Sequence, residues 1–194
     1  QELVLGPDEN NFKGCVYYDS NYNCHLFFGL QKIHHYPIHY GIGSLVVSKK
    51  YPELESITKK IFNAIEYTGV GSVEFKLDDR DGKLKLIEIN PRYWQQNSLA
   101  DFCGINFPLY DFYFSLGSTN KVKNDYIEGY KWINLHLDFN SYLQYRYEKK
   151  INFYDWIKSL GGKKVVSYFD MYDFVPLLVH FYRILMKGLL RIIK

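Results

Sequence analysis

The sequence predicts an α+β fold: an antiparallel sheet with flanking helices, followed by a mainly helical C-terminal extension. Three observations carry this expectation. Short apolar runs separated by turn residues fill positions 1–33 and 71–90, a stretch of helical periodicity lies between them at 52–67, and beyond about residue 140 the pattern turns helical. With 194 residues, 47% of them hydrophobic and 19% aromatic, the chain can build one domain with a substantial appendage. Charged residues make up 23%, which excludes a disordered chain, and a scattered net charge of +3 gives no reason to expect a nucleic-acid partner.

Taken in order, residues 1–5 (QELVL) read as a short apolar strand stopped by Gly6-Pro7-Asp8. Lys13–Tyr18 and His25–Ile33 follow as a hairpin whose loop, 19–23, is rich in turn formers. Residues 34–50 are mixed, with a loop at Gly41-Ile42-Gly43-Ser44. From Pro52 to Tyr67 the apolar positions Leu54, Ile57, Ile61, Ala64 and Ile65 recur at helical spacing, and Gly69 is expected to end that helix. Gly71–Leu77 and Leu84–Asn90 form a second hairpin around the glycine-containing connector 78–83. Helices are expected at 95–103 and 107–116, a strand at 130–137, helices near 140–149 and 153–160, and a last long helix from Asp173 to Ile193. The boundary between the sheet-bearing part and the extension is placed at 116/117.

The second hairpin carries the chemistry. A strand period of two puts Glu74 and Lys76 on one face of its first strand, and Glu88 and Asn90 on one face of its second. A symmetric register through Asp81 makes Glu74 and Glu88 cross-strand neighbours, with Cβ atoms roughly 4.5–5.5 Å apart. Adjacent carboxylates repel unless they share a proton or a cation. Magnesium favours oxygen ligands, typically one or two carboxylates together with phosphates, so Glu74, Glu88 and Asn90 make a candidate metal set. Arg92, just beyond, can hold a phosphate or stabilise a transferring phosphoryl group. The bland alternative is an ordinary hairpin with one solvated face.

The string Gly71-Ser72-Val73-Glu74-Phe75-Lys76, followed by Leu86-Ile87-Glu88-Ile89-Asn90-Pro91-Arg92-Tyr93-Trp94, resembles the "VEFK … EINPRxW" signature of ATP-grasp enzymes. The likeness is strongest to the predicted carboxylate–amine ligases of the carbamoyl-phosphate-synthase-like branch and extends over roughly residues 1–116, the C-terminal half of that domain. It implies ATP and two magnesium ions as cofactors, with manganese as an alternative. Glu74 would bind one ion, Glu88 bridge both, Asn90 bind the second, and Arg92 contact the phosphate. Gln1-Glu2-Leu3-Val4-Leu5-Gly6-Pro7-Asp8 resembles the family's hinge strand. There Val4 would meet adenine through its backbone, Gln1 or Glu2 would sit beside the amino group, and Asp8 on the ribose hydroxyls; Lys32 would face the phosphates. The implied reaction is an ADP-forming joining of a small carboxylate to an amine through an acyl phosphate. The alternative is an inactive ATP-grasp-like nucleotide-binding or scaffold module, at a membrane surface in envelope polysaccharide assembly.

The family's glycine-rich loop and nucleotide-clamping lysines are missing from this sequence, and the opening residues lack an initiator Met. We therefore expect an upstream N-terminal half of the same protein to complete the site, and little activity from this piece alone. Relatives commonly carry Arg where this chain has His34. His34, His35 and His39 have no accompanying cysteine or carboxylate pattern, so a zinc site is not expected. Cys15, Cys24 and Cys103 form no CxxC pair, which favours a reducing, cytoplasmic setting, at most at the inner membrane surface. In the last helix His180, Arg183, Lys187, Arg191 and Lys194 make one cationic stripe on an otherwise apolar cylinder. This fits docking on the enzyme or a partner, the preferred expectation, or peripheral membrane contact through 173–194.

Overall fold

The computed structural model describes residues 2–117, 124–169 and 172–192. Strands β1 (Asn11–Tyr18), β2 (Cys24–Tyr36), β3 (Ile42–Ser48), β4 (Gly69–Asp78), β5 (Lys83–Asn90), β6 (Lys131–Ile133) and β7 (Lys164–Val166) form one sheet. Their order is β5-β4-β1-β2-β3-β6-β7, and every neighbouring pair is antiparallel except β6–β7. The expected α+β class with an antiparallel sheet holds.

One face of the sheet is covered by α1 (Pro52–Ala64), which docks where β1 and β4 carry glycine. A Cβ on Gly14 would stand 2.2 Å from Thr58 Oγ1, and one on Gly71 would stand 2.8 Å from the Phe62 ring. The helix thus approaches closely enough to bury Leu54, Thr58 and Phe62. The opposite face bears Lys13, Cys15 and Tyr17 of β1, aligned with Glu74, Ser72 and Val70 of β4. Part of it is roofed by α2 (Asn97–Phe102) and α3 (Phe107–Ser115). Tyr17 stacks on Phe114 with ring centres 5.1 Å apart, and Trp94 meets Phe107 edge-on at 4.9 Å. The roof stops short of Lys13 and Glu74, and the site lies in the part left open.

Several expectations are corrected. Residues 2–5 form no strand; Leu3 and Leu5 are exposed, and the segment's backbone gains one contact, from the Asp79 N–H to the Leu5 carbonyl. Gln1 lies outside the described residues. β2 runs on to Tyr36 and β3 fills much of the stretch read as mixed, so the Gly41–Ser44 loop is largely strand. Helix α1 buries positions 54, 58 and 62, while Ala64 and Ile65 are exposed. It stops at Ala64, and Gly69, at φ 91°, opens β4 instead of capping the helix. The strand expected at 130–137 is three residues long, because Asn134 caps α4 (Leu135–Tyr147) by accepting from the Leu137 N–H. Helix α5 (Phe153–Ser159) lies where expected, β7 had no sequence signal, and the last helix, α6, spans Val175–Ile192.

The extension shares the sheet through β6, which pairs with β3. It is fixed by the fully buried Asp138 of α4, which accepts from His34 Nδ1 at 2.9 Å, Ser44 Oγ at 2.9 Å and Trp156 Nε1 at 2.8 Å. A buried carboxylate is tolerable when its lone pairs are satisfied in this way.

Candidate functional site

Glu74 and Glu88 are directly paired across β4 and β5, as expected. They meet by a different route from simple symmetry. The turn pairs Asp78 with Lys83 and Phe75 with Leu86, a register centred between Arg80 and Asp81. An irregularity between Glu74 and Phe75 then shifts the register past Ile87 and brings Glu88 opposite Glu74, with Asn90 opposite Ser72. Such a bulge re-aims the residues beyond it. Here it places Glu88 and Asn90 on the face of Glu74.

The cations beside Glu74 belong to the protein itself. Lys13 Nζ lies 2.7 Å from one carboxylate oxygen and Lys32 Nζ 2.5 Å from the other. Both lysines are buried. Burial pushes the Glu74 carboxyl upward, but the two ammonium charges and their hydrogen bonds outweigh it and hold the group down at about 2. Glu88 is exposed, and among the described residues no ammonium or guanidinium reaches it. It accepts from the Asn90 amide at 2.6 Å, while Asn90 Oδ1 accepts from Arg92 Nη2 at 3.3 Å.

These side chains line a cleft of about 140 Å³ between the sheet and the chain leaving β5. That chain crosses to β3, where Gln96 Nε2 donates to the Gly43 carbonyl at 3.1 Å. Ser72 Oγ, Trp94 Nε1 and Gln96 Oε1 belong to cleft-lining residues and have no hydrogen-bond partner among the described residues. Lys13, Lys32 and Arg92 stand against Glu74 and Glu88, so the cleft carries an excess of one positive charge. An uncompensated Glu88 beside an amide oxygen fits a hard divalent cation, and the three cations fit phosphate oxygens. Glu74 would join such an ion only by releasing a lysine.

Glu2, Val4 and Asp8, the described members of the segment expected to meet adenine and ribose, do not line this cleft. Glu2 accepts from Arg80 at 2.7 Å and Val4 is half-buried. Asp8 lines a separate cavity of about 300 Å³ with His34, His39, Tyr145 and Lys150. Its carboxylate accepts from the Tyr145 hydroxyl and from the His39 backbone N–H at 3.0 Å. Burial raises the Asp8 carboxyl, and these hydrogen bonds carry it below its ordinary value. His35 donates from Nε2 to the Asp8 carbonyl at 3.1 Å; burial and the Lys32 charge lower its pKa to about 4, so it is neutral.

Sequence reading missed Lys13, although a lysine inside the apolar run of β1 was a usable signal. It also missed the carboxylates that meet the histidines: His34 with Asp138, and His39 with Asp8 and Glu148. His34–Asp138 and His39–Glu148 lie more than a hundred residues apart in sequence and Asp8–His39 thirty-one, and no local pattern shows them. Even so, no group of three or more metal-binding His, Cys, Asp or Glu side chains occurs among the described residues.

Residues 41–121 match the family model of the carbamoyl-phosphate synthase L chain, ATP binding domain. The chain is 31% identical over 108 residues to the D-aspartate ligase of Enterococcus faecium (strain Aus0004), a match covering 55% of this chain and 26% of that protein. It thus spans about a quarter of the length of that curated relative. Among solved structures, a biotin carboxylase–β,γ-ATP complex from Campylobacter jejuni aligns with a TM-score of 0.51 at 17% identity, over 61% of this chain and 27% of the other. The biotin carboxylase domain of a thermophilic 2-oxoglutarate carboxylase, bound to bicarbonate, aligns with a TM-score of 0.51 at 18% identity, over 63% of this chain and 29% of the other. These two likenesses speak for the fold alone. The stretch that matches the carbamoyl-phosphate synthase ATP binding domain contains the β4–β5 hairpin and its paired glutamates, and the chain is similar in fold to the ATP-binding biotin carboxylases.

Proposed function

We propose that this chain forms the metal- and phosphate-binding side of an ATP-dependent, ADP-forming ligase that joins a carboxylate to an amine through an acyl phosphate. One observation carries the reading: Glu74 and Glu88 are adjacent on a face that also presents Lys13, Lys32, Asn90 and Arg92. The likeness to a D-aspartate ligase supports a carboxylate and an amine as the small-molecule substrates. Magnesium, when bound, would neutralise charge on the phosphate chain and polarise the transferring group.

Each side chain then has a stated task. Glu88 and Asn90 supply oxygens to the cation. Lys13 and Lys32 hold Glu74 in place and can turn towards phosphate oxygens. Arg92 binds the phosphoryl group that moves. Ser72, Trp94 and Gln96 offer unused hydrogen-bonding capacity to the polar end of a substrate. Gln1, Glu2, Val4 and Asp8 are the proposed contacts to adenine and ribose, which the N-terminal half of the protein would enclose.

The full-length protein should release ADP from ATP and magnesium when supplied with the right pair from a panel of carboxylates and amines. Glu88→Gln should lower kcat by at least about a hundredfold, roughly 3 kcal/mol in the barrier. ATP binding should change far less, as measured by calorimetry. A Glu88→Gln enzyme with unchanged turnover would end this assignment. A second reading, nucleotide binding without turnover, has its own support in the lysines that occupy both oxygens of Glu74. It predicts ATP binding and no ADP release with any substrate pair.

A further inference from the structure

The largest unexplained feature of the molecule is the outer face of α6. Phe174, just before the helix, is 50% exposed, and Leu178, Phe181 and Tyr182 are 65%, 55% and 64% exposed. Contiguous apolar surface of this kind is uncommon on a soluble domain and marks a contact.

Helical geometry shows which way the surface points. Among residues 174–184, the half-buried positions of α6 are Leu177, His180 and Ile184, a spacing of three and four residues that defines one narrow stripe. His180 sits inside this stripe, stacked on Tyr168 with ring centres 4.3 Å apart and 6.0 Å from His136. It therefore belongs to the seam against the body and leaves the cationic stripe expected from sequence. At 100° per residue, Val175, Leu178, Val179 and Tyr182, all exposed, lie across an arc opposite that seam, with Phe174 and Phe181 on one flank of it. The body covers one side of the helix, and the apolar arc is the outermost surface on the other. Arg183 is exposed on the flank between them.

The charge pattern names the occupant. From Phe174 to Lys194 the sequence contains no Asp or Glu, and its cations are Arg183, Lys187, Arg191 and Lys194 beside His180. No helix among the described residues is long and apolar enough to cross a membrane. An 18-residue helix is about 27 Å long, enough to lie along a bilayer surface with its apolar side down.

We propose that α6 lies in the interface of an anionic lipid surface, with Val175, Leu178, Val179 and Tyr182 at the headgroup–acyl boundary, Phe181 at one edge of that face and Arg183 at the other among the lipid phosphates. Buried apolar area supplies the adhesion, and the cations add a preference for negatively charged headgroups. This goes beyond the ligase reading and stands or falls without it.

The test is co-sedimentation of the full-length protein with phosphatidylcholine vesicles, with and without phosphatidylserine. The wild type should pellet several-fold more with the anionic vesicles, and added salt should reduce the pelleted fraction. Leu178→Glu with Phe181→Glu should keep the protein in the supernatant, with circular dichroism unchanged because both positions are exposed. Tyr182→Glu gives an independent variant with the same expected loss. The proposal is overturned if the wild type stays in the supernatant, if it pellets equally with both vesicle types, or if the charged variants pellet like the wild type. It is also overturned if the wild type ignores vesicles but self-associates through the same residues in sedimentation velocity, since the surface would then cover a second copy of this chain.

Discussion

At the residue scale, Glu74 shows how an acidic pair becomes tolerable in a fold. Its carboxyl sits at about 2 in the structure, against 4.5 for a free glutamate. The unfolded chain therefore binds that proton more readily than the native one. Stability from this group is complete above the unfolded value and is lost as pH falls towards the folded value. Between about pH 4.5 and pH 2 it amounts to something on the order of 3 kcal/mol. Urea unfolding across that window should show the wild type losing stability more steeply than Glu74→Gln. At neutral pH the variant should be the less stable of the two, because Lys13 and Lys32 would remain buried without a carboxylate. Parallel curves for the two proteins would show that the lysines do not hold this group. The pairing of Glu74 with Glu88 was legible in the sequence, yet the device behind it was not. Ile87 looks like any strand residue, and nothing local marks it as the point where the register shifts.

At the scale of elements, the sheet was readable wherever apolar runs were bounded by turn residues, and unreadable where partners decided the outcome. β1, β2, β4 and β5 appear close to their expected bounds. β6 and β7 are three residues each; β6 exists because β3 offers an edge to pair with, and β7 because β6 then offers the next. Residues 2–5 have strand-like composition, but no neighbour in the sheet takes them. The buried stripe of α1 was misassigned by one position because Thr58 counts as polar in any periodicity argument. It is nonetheless fully buried, facing Gly14 of β1. That contact can be tested. Gly14→Ala should destabilise the protein by roughly 1–3 kcal/mol through overpacking against a β-branched side chain that has little rotamer freedom in a helix. Adding Thr58→Ala should recover much of the loss, and thermal unfolding of the two variants measures the coupling. If Gly14→Ala is neutral by itself, α1 does not rest on β1 as closely as described.

At the scale of the whole molecule, the extension is tied to the sheet by one polar hub in addition to β6. Asp138 satisfies a histidine from β2, a serine from β3 and a tryptophan from α5, so one carboxylate joins the body to two extension helices. Removing it orphans three donors at once, of which His34 and Ser44 are buried, and each buried group costs of the order of 1–3 kcal/mol when no water can replace the partner. Because the lost contacts sit between units, the damage should be regional. In Asp138→Ala, amide hydrogen exchange should lose protection together across residues 131–160, while β1, β2 and β4 keep theirs, since their ladders and the α1 face are untouched. Asp138→Asn should fall between the two, as its single carbonyl oxygen can accept from some of the donors and its amide faces the others. Uniform loss across the whole sheet would mean that extension and body unfold as one cooperative unit. In that case β6, continuing the sheet from β3, would couple them more strongly than the buried carboxylate does.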